Sequence, residues 1–368
     1  MDTKLPWADS LNFRPAAVAE MMGFAPTYVP KLEEKAGIFA QKQPGTPNRF
    51  FKVEEVFRLG RHRRASGALP ELGGQIVISV YLAKGGVGKT TTASELAFQF
   101  AILGYKVLLA DMDEQGDLSQ SLGYDPEFTD DYVKSAGLPP GLVVHHTFAD
   151  LFDIQRIYQA TPSSEVIKLP YGEFGPHFIP ADDTLSDLDE LLHIQPAKEQ
   201  QISKLLADAR HQRLKNFDTS SYDFVILDCP PGRSVLSTNA ILAADYIVAP
   251  VSLTMYAVKG ISRFSARLGK LKESFGRIPE VITVPTFHEE NINRVADNIA
   301  TLRQYFSSST TNSAVAKTEE FAAALEARIP LSLYKPRSKG ARAYRAVANE
   351  ILQRISSAAS KQLELING

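Results

Sequence analysis

The chain has 368 residues, enough for two domains, with a formal net charge of only −2. Hydrophobic residues make up 44% of it and charged residues 22%, which is typical of a globular protein. The single cysteine, Cys229, excludes a disulfide framework, and no apolar run reaches the roughly 18 residues of a membrane span. The N-terminus lacks the pattern of a signal peptide. These features predict a cytoplasmic protein without a membrane partner.

The first 73 residues are predicted to form a separate small domain that ends in a linker. Residues 13–23 and 27–36 predict two short helices joined by a tight turn, which is the spacing of a helix-turn-helix. Residues 49–51 predict a short strand, and a third helix is expected to start at Val53. This order resembles the winged helix-turn-helix of MerR-type regulators, in which a wing follows the recognition helix.

The charge of this N-terminal domain favours DNA as its partner. Residues 1–75 contain 11 Lys and Arg against 8 Asp and Glu, a small excess of positive charge. The expected DNA contacts lie on the second helix and the wing: Tyr28, Lys31, Lys35 and Arg49. The alternative is a generic three-helix module that contacts proteins.

The second predicted domain, residues 74–368, begins with a candidate phosphate site. An apolar strand at 76–80 is followed by a Gly-rich turn and then by an amphipathic helix. In such a turn, backbone N–H groups and the positive end of the helix dipole bind phosphate oxygens. The predicted cradle consists of Gly85, Gly86, Val87, Gly88, Lys89, Thr90 and Thr91. Lys89 would reach the β- and γ-phosphates, and the Thr90 hydroxyl would contact Mg²⁺.

The turn departs by one residue from the pattern G-x-x-x-x-G-K-[ST]. Ala83 occupies the first glycine position and Lys84 follows it, so the segment reads K-G-G-x-G-K-T-T. It resembles the deviant Walker A motif of the ParA/MinD branch of P-loop ATPases, in which the additional lysine is diagnostic. The resemblance implies a weak ATP hydrolase that binds ATP or ADP with Mg²⁺. A chance Gly-rich loop is the alternative.

Two further strands are predicted to end in aspartates. The segment from Asp111 to Asp117 resembles the D-x-D-x-Q-G-N switch of ParA proteins, with Asp117 in place of the usual Asn. A carboxylate there can orient the attacking water or hold the water shell of magnesium, so we assign the first role to Asp113 and the second to Asp111.

The strand that ends in Asp228 resembles Walker B, and Asp228 would bind Mg²⁺ directly or through water. The sequence Asp-x-Pro-Pro-Gly that follows resembles the second switch of the family, in which Gly232 can present its N–H to the γ-phosphate.

Alternating strands and helices predict an α/β fold with a doubly wound, mostly parallel sheet, in which nucleotide sits at the carboxyl ends of the strands. Further strands are predicted at 244–251 and 280–286, and by family position the segment after the second one faces the adenine. A polar helix is predicted at 196–216, whereas residues 124–180 show no clear pattern.

The C-terminal third contains a basic cluster with five cations and no acid, residues 335–345, followed by a predicted helix at 347–365. ParA-like proteins hold non-specific DNA with basic residues in this region. The resemblance therefore implies phosphate contacts by four residues: Arg337, Lys339, Arg342 and Arg345. A solvated helix face is the alternative.

The resemblance as a whole implies a DNA partition ATPase of plasmid or chromosome segregation, associated with the nucleoid. ATP would close a homodimer in which Lys84 contacts the nucleotide of the partner subunit. A ParB-like centromere-binding protein would stimulate hydrolysis, and the N-terminal domain would bind an operator. The alternatives are a nucleotide-switched transcriptional repressor and a MinD-like spatial regulator. The modest apolar character of the last helix argues against the membrane anchor that MinD proteins use.

Overall fold

The computed structural model describes residues 3–42, 45–153, 160–252, 257–288, 293–307 and 309–367. The described chain contains a three-stranded antiparallel sheet near its N-terminus and a seven-stranded parallel sheet flanked by helices. Within these residues, no helix combines the length and the hydropathy that crossing a bilayer requires.

The N-terminal elements follow the predicted order of helix, turn, helix, strand and helix. They are β1 (Asn12–Phe13), α1 (Pro15–Met21), α2 (Val29–Ala36), β2 (Gln41–Lys42), β3 (Arg49–Lys52) and α3 (Val53–Ala65). Pro30 lies in the first turn of α2, where its missing N–H costs no helical hydrogen bond. Gly37 ends α2 with a φ of 65°, in the left-handed region that glycine adopts without strain. The hairpin of β2 and β3 occupies the position predicted for a wing.

The large sheet contains seven parallel strands in the spatial order β10-β9-β8-β4-β7-β5-β6. Their bounds are β4 (Ile76–Val80), β5 (Val107–Asp111), β6 (His177–Ile179), β7 (Phe224–Asp228), β8 (Tyr246–Ser252), β9 (Glu280–His288) and β10 (Val315–Ala316). The central strands are buried throughout because helices cover both faces, which explains their near-continuous apolar sequences. The predicted parallel α/β sheet is confirmed, and the short β10 was not predicted.

Helices connect and cover these strands. They are α4 (Lys89–Ile102), α5 (Asp117–Ser121), α6 (Asp130–Ser135), α7 (Ser163–Val166), α8 (Thr184–His193), α9 (Gln201–Arg210), α10 (Val235–Ala243), α11 (Ala257–Phe275), α12 (Asn293–Tyr305), α13 (Glu319–Glu326), α14 (Leu331–Tyr334) and α15 (Lys339–Asn367). Within the described part of residues 124–180, all elements are short: the helices α6 and α7, two helical turns of three and four residues, and the three-residue strand β6.

Two predicted helix bounds were wrong. The helix predicted at 196–216 spans only α9, because Gln212 adopts a left-handed φ of 55° just beyond its end. The last helix begins eight residues earlier than predicted, at Lys339, since the Ser338 hydroxyl accepts a hydrogen bond from the Ala341 N–H at 3.2 Å and caps it. The basic cluster therefore lies largely on the first turns of α15 instead of in a loop before it.

The N-terminal part packs directly on the parallel-sheet part, and the two share one hydrophobic core. Phe57 of α3 contacts Phe98 of α4, with ring centroids 6.5 Å apart. Arg64 donates two hydrogen bonds to the Asp223 carboxylate, at 2.5 and 2.6 Å. The predicted domain boundary near residue 73 stays a prediction, but these contacts join the two sides of it closely.

Candidate nucleotide-binding site

The turn between β4 and α4 has the shape of a phosphate cradle. Gly86 and Gly88 have φ values of 69° and 88°, which only glycine adopts readily. A Cβ at Gly86 would meet nothing within 4 Å, so the loop faces open space there. Lys89 begins α4, and its buried side chain points back over the loop, where Nζ lies 3.5 Å from the Lys84 carbonyl oxygen. The loop thus presents N–H groups, a helix N-terminus and an ammonium group to one concave space.

Asp228 is the residue whose surroundings best fit a magnesium ion. It is fully buried at the end of β7 and shares a hydrogen bond with the Thr90 hydroxyl. Its Oδ1 atom is buried without a hydrogen-bond partner among the described residues. Burial raises the pKa of this carboxyl well above its usual value, and nearby Asp111 raises it further. A divalent cation beside Thr90 would satisfy the orphaned oxygen and favour the ionised form.

Asp111 lies beside Asp228 in the register of β5 and β7, but its carboxylate is already engaged. Oδ1 accepts from the Asp113 N–H at 3.1 Å, and Oδ2 accepts from the N–H and hydroxyl of Ser119 at 2.9 and 2.8 Å. The metal role assigned to Asp111 stays a prediction, and its contacts favour positioning of the Asp111–Ser119 loop.

Asp113, by contrast, is half-buried at the edge of the site and faces the charge of Lys89. Burial raises the pKa of the Asp113 carboxyl. Of Asp111 and Asp113, Asp113 is therefore the one whose carboxylate remains accessible to a water molecule.

Gly232 and Lys84 line a cavity of about 380 Å³ with three arginines of the neighbouring segments: Arg233, Arg263 and Arg267. Gly232 has a φ of 116°, so the second switch uses a backbone conformation that other residues rarely adopt. Lys84 is half-buried at this cavity and not enclosed in the cradle.

A larger cavity of about 660 Å³ begins at Thr90 and Thr91 and extends between α4, α5 and α13. Phe321 of α13 lines it and packs edge-on against Phe287, with centroids 5.7 Å apart. Phe287 follows Thr286 in β9, in the segment expected to face adenine, and its φ of 48° is unusual for a bulky residue. A Cβ added to Gly88 would lie only 2.5 Å from the Phe287 ring, and the left-handed φ of 88° also favours glycine at this position.

The predicted DNA contacts of the N-terminal part fall into two groups. Lys31 and Lys35 are exposed on α2. Tyr28 is half-buried and packs edge-on against Phe24 at 5.3 Å. Arg49 forms an ion pair with the buried carboxylate of Glu33, so only part of its charge faces solvent.

Four DNA contacts are predicted on α15 and in the residues just before it. Three of them form ion pairs with a single residue of the N-terminal part, Glu20. Glu20 of α1 accepts from Arg337 at 3.0 Å and Arg345 at 3.4 Å, and it also pairs with Arg342. The Arg342 guanidinium holds the pKa of the Glu20 carboxyl below its usual value. Lys339 is exposed on the same turn. One carboxylate of α1 therefore links the basic residues of the α15 region to the N-terminal part.

Four residues that matter to this geometry had no sequence motif to reveal them: Glu20, Tyr81, Arg267 and Phe287. Each acts through a partner more than 30 residues away in the chain, so local patterns carry no signal for them.

The parallel sheet, the Gly-rich loop before α4 and the Asp228–Thr90 pair together define a P-loop ATPase fold. The family model AAA_31, described as an AAA domain, matches residues 75–279, more than half of the chain. The chain belongs to this family, that of the ParA/Soj/MinD-type ATPases.

Relatives of known name cover most of the chain. The chromosome-partitioning ATPase Soj of Treponema pallidum is 26% identical over 272 residues, which cover 74% of this chain and 94% of Soj. The cell division protein PomZ of Myxococcus xanthus is 27% identical over 352 residues and covers 93% of both chains, so its similarity includes part of the first 73 residues.

Solved structures show the same fold. Cobyrinic acid a,c-diamide synthase from Mycobacterium smegmatis, with bound ADP and magnesium, matches with a TM-score of 0.59 and 23% identity over 77% of this chain and 96% of that one. The ATP complex of a Cyanothece McdA variant matches with a TM-score of 0.57 and 21% identity, covering 76% and 96% of the respective chains.

Proposed function

We propose that this protein is a weak, Mg²⁺-dependent ATPase that positions or partitions DNA. The observation that carries the proposal is the coincidence of two features at one site. First, the buried Asp228 Oδ1, which lies beside Thr90, has no hydrogen-bond partner among the described residues and could therefore bind Mg²⁺. Second, Lys84 lies outside the phosphate cradle, to which Lys89 already contributes an ammonium group. The second feature supports a nucleotide shared between two subunits.

Different elements of the fold would bind the phosphates, the magnesium ion and the nucleoside. The loop from Gly85 to Thr91 would bind the phosphates through backbone N–H groups and Lys89. Asp228 and Thr90 would hold Mg²⁺, which neutralises charge on the phosphate oxygens when bound. The 660 Å³ cavity beside Thr91 would receive the nucleoside, with Phe321 offering an apolar face to the base and Phe287 packing against the Phe321 ring.

Catalysis in this arrangement consists of positioning and charge neutralisation. Asp113 would accept a hydrogen bond from the attacking water and orient it. Lys89 would neutralise the phosphates of its own subunit, and Lys84 would contact those of the partner in an ATP-dependent homodimer. The Gly232 N–H would contact the γ-phosphate.

DNA is the proposed cargo and partner of the ATP-bound dimer. The exposed Lys31 and Lys35 of α2, with the β2–β3 wing, would read an operator, whereas Arg337, Lys339 and Arg342 would bind phosphates without regard to sequence. Such a protein would be cytoplasmic and associated with the nucleoid, and a ParB-like partner would stimulate its ATP hydrolysis. The match to PomZ along nearly the full chain favours cell-division positioning as a second candidate.

The decisive experiment measures phosphate release from ATP, with and without random duplex DNA and Mg²⁺, for the wild-type protein and for Lys89→Ala. We expect slow turnover that requires Mg²⁺, and ATP-dependent DNA retention that Lys89→Ala loses. ATP binding that switches operator affinity without any turnover would support the transcriptional repressor instead. Turnover without any effect of ATP on DNA binding would remove DNA from the proposal.

A further inference from the structure

The side chain of Arg267 on α11 forms an unusual contact with the second switch. One guanidinium nitrogen, Nη1, donates to the Gly232 carbonyl oxygen at 2.8 Å and to the Tyr81 hydroxyl. The Tyr81 hydroxyl in turn donates to the same Gly232 carbonyl at 2.5 Å. Two donors therefore hold one carbonyl of the second switch, and the guanidinium also stacks over the Tyr81 ring at 5.0 Å.

The second terminal nitrogen of the Arg267 guanidinium, Nη2, contacts a third element, the helix α10. Arg267 Nη2 donates to the Thr238 hydroxyl at 3.1 Å and lies 3.3 Å from the Ser237 hydroxyl, both in the first turn of α10. All of these acceptors are uncharged oxygens, and no carboxylate pairs with Arg267 among the described residues. The planar guanidinium is thus used as a hydrogen-bond fork and not as half of an ion pair.

The hydrogen bonds of Arg267 connect the two loops that form the predicted phosphate site. Tyr81 directly follows β4 and precedes the Gly-rich loop, and Gly232 belongs to the loop after Asp228. Gly232 has a left-handed φ of 116°, a conformation that glycine adopts but does not prefer strongly over others. The Gly232 carbonyl belongs to the peptide that links it to Arg233, whereas the Gly232 N–H belongs to the preceding peptide. Hydrogen bonds to the carbonyl therefore restrain ψ at Gly232 and limit the rotation of the backbone that carries this N–H.

We infer that Arg267 is a positioning residue for ATP hydrolysis: with Tyr81, it holds the Gly232 carbonyl and so restrains the backbone of Gly232, whose own N–H, on the preceding peptide, would face the γ-phosphate. The inference rests on the proposed function of the same site. It predicts that Arg267 matters for the γ-phosphate step and little for ADP, which lacks that phosphate.

The test compares Arg267→Met, Arg267→Lys and Tyr81→Phe with wild type by phosphate release, by the affinity for a fluorescent ADP with Mg²⁺, and by thermal unfolding. We expect Arg267→Met to lower kcat by about tenfold to a hundredfold, the range for losing hydrogen bonds from a charged donor. ADP affinity should stay within about threefold. Tyr81→Phe keeps the ring and removes one donor, so it should lower kcat less.

Arg263→Met is the matched control. Arg263 lies one turn earlier on α11 and lines the same cavity, but makes no hydrogen bond to the second switch among the described residues. Its removal should leave kcat near that of wild type, and Arg267→Lys should restore little because lysine lacks the fork.

Four results would overturn the inference. Full turnover in Arg267→Lys, or an equal loss in Arg263→Met, would show that charge in the cavity matters and not the fork. A parallel fall of kcat, ADP affinity and unfolding temperature in both Arg267→Met and Tyr81→Phe would show a purely structural role. Wild-type turnover in Arg267→Met would exclude any role. If the wild-type protein itself hydrolyses no ATP, the proposed function fails first, which keeps the two failures distinct.

Discussion

The packing of α3 against the end of α4 makes a strong prediction about Gly60. A Cβ at Gly60 would lie 2.2 Å from the Ile102 carbonyl oxygen and 3.0 Å from the Gly104 nitrogen. Real Cβ atoms essentially never approach closer than 3.0 Å, so Gly60→Ala must push α3 and this turn apart by about 0.8 Å. The obstacle is backbone, which cannot rotate away as a side chain can.

The expected cost follows from two opposing effects. Overpacking of a rigid contact costs about 1–3 kcal/mol, while replacing Gly by Ala inside a helix stabilises by about 0.5–1 kcal/mol. Gly269→Ala, in α11, is the matched control, because a Cβ there meets nothing within 4 Å. Both variants have the same increase in helix preference, so the difference between them isolates the clash at about 1–3 kcal/mol.

Thermal and denaturant unfolding of the two variants provide the assay. We expect Gly60→Ala to unfold a few degrees below Gly269→Ala, since each kcal/mol corresponds to roughly 1–2 °C when a chain of 368 residues unfolds as one unit. The two variants unfolding together would mean that the N-terminal part does not dock tightly on α4. The shared hydrophobic core would then be a poor description of the protein in solution.

The remaining predictions concern the nucleotide site, the DNA surfaces and one buried acid. Lys84→Ala should bind ATP, because Lys89 serves its own nucleotide, but lose ATP-dependent dimers on a sizing column; normal dimers would contradict the shared site. Asp113→Ala should bind ATP and DNA yet release phosphate slowly, and undiminished turnover would move the water-orienting role elsewhere. Glu20→Gln releases the arginines around Arg342, so binding to random duplex should tighten and its log–log salt slope should steepen by about 0.9 for each additional phosphate that the arginines neutralise; an unchanged slope would remove these arginines from the DNA surface. Burial raises the pKa of Glu95 to about 7 from 4.5, so the folded protein keeps a proton that the unfolded chain releases, and stability should fall as pH rises through that window. Glu95→Gln should flatten this fall in denaturant midpoints, whereas curves parallel to wild type would show that Glu95 does not titrate there.

The sequence alone determined the parallel α/β fold and the phosphate cradle, because both depend on short-range patterns. Apolar runs define the buried strands, and the segment from Lys84 to Thr90 contains its glycines, lysines and hydroxyl within seven residues. The order of short helices and strands in the first 65 residues was equally readable, since Pro30 and Gly37 mark the ends of α2. Such local patterns can be interpreted without knowing where distant parts of the chain lie in the fold.

Only the tertiary structure decided which charges meet. Asp111 and Asp113 look alike in sequence, yet folding encloses Asp111 with Ser119 and leaves Asp113 accessible. Glu20 meets Arg342, and Arg267 meets Gly232, across separations of 322 and 35 residues. These pairings arise because elements from remote segments of the chain pack together. The strength of an ion pair or hydrogen bond depends on that proximity and burial, which no local pattern encodes.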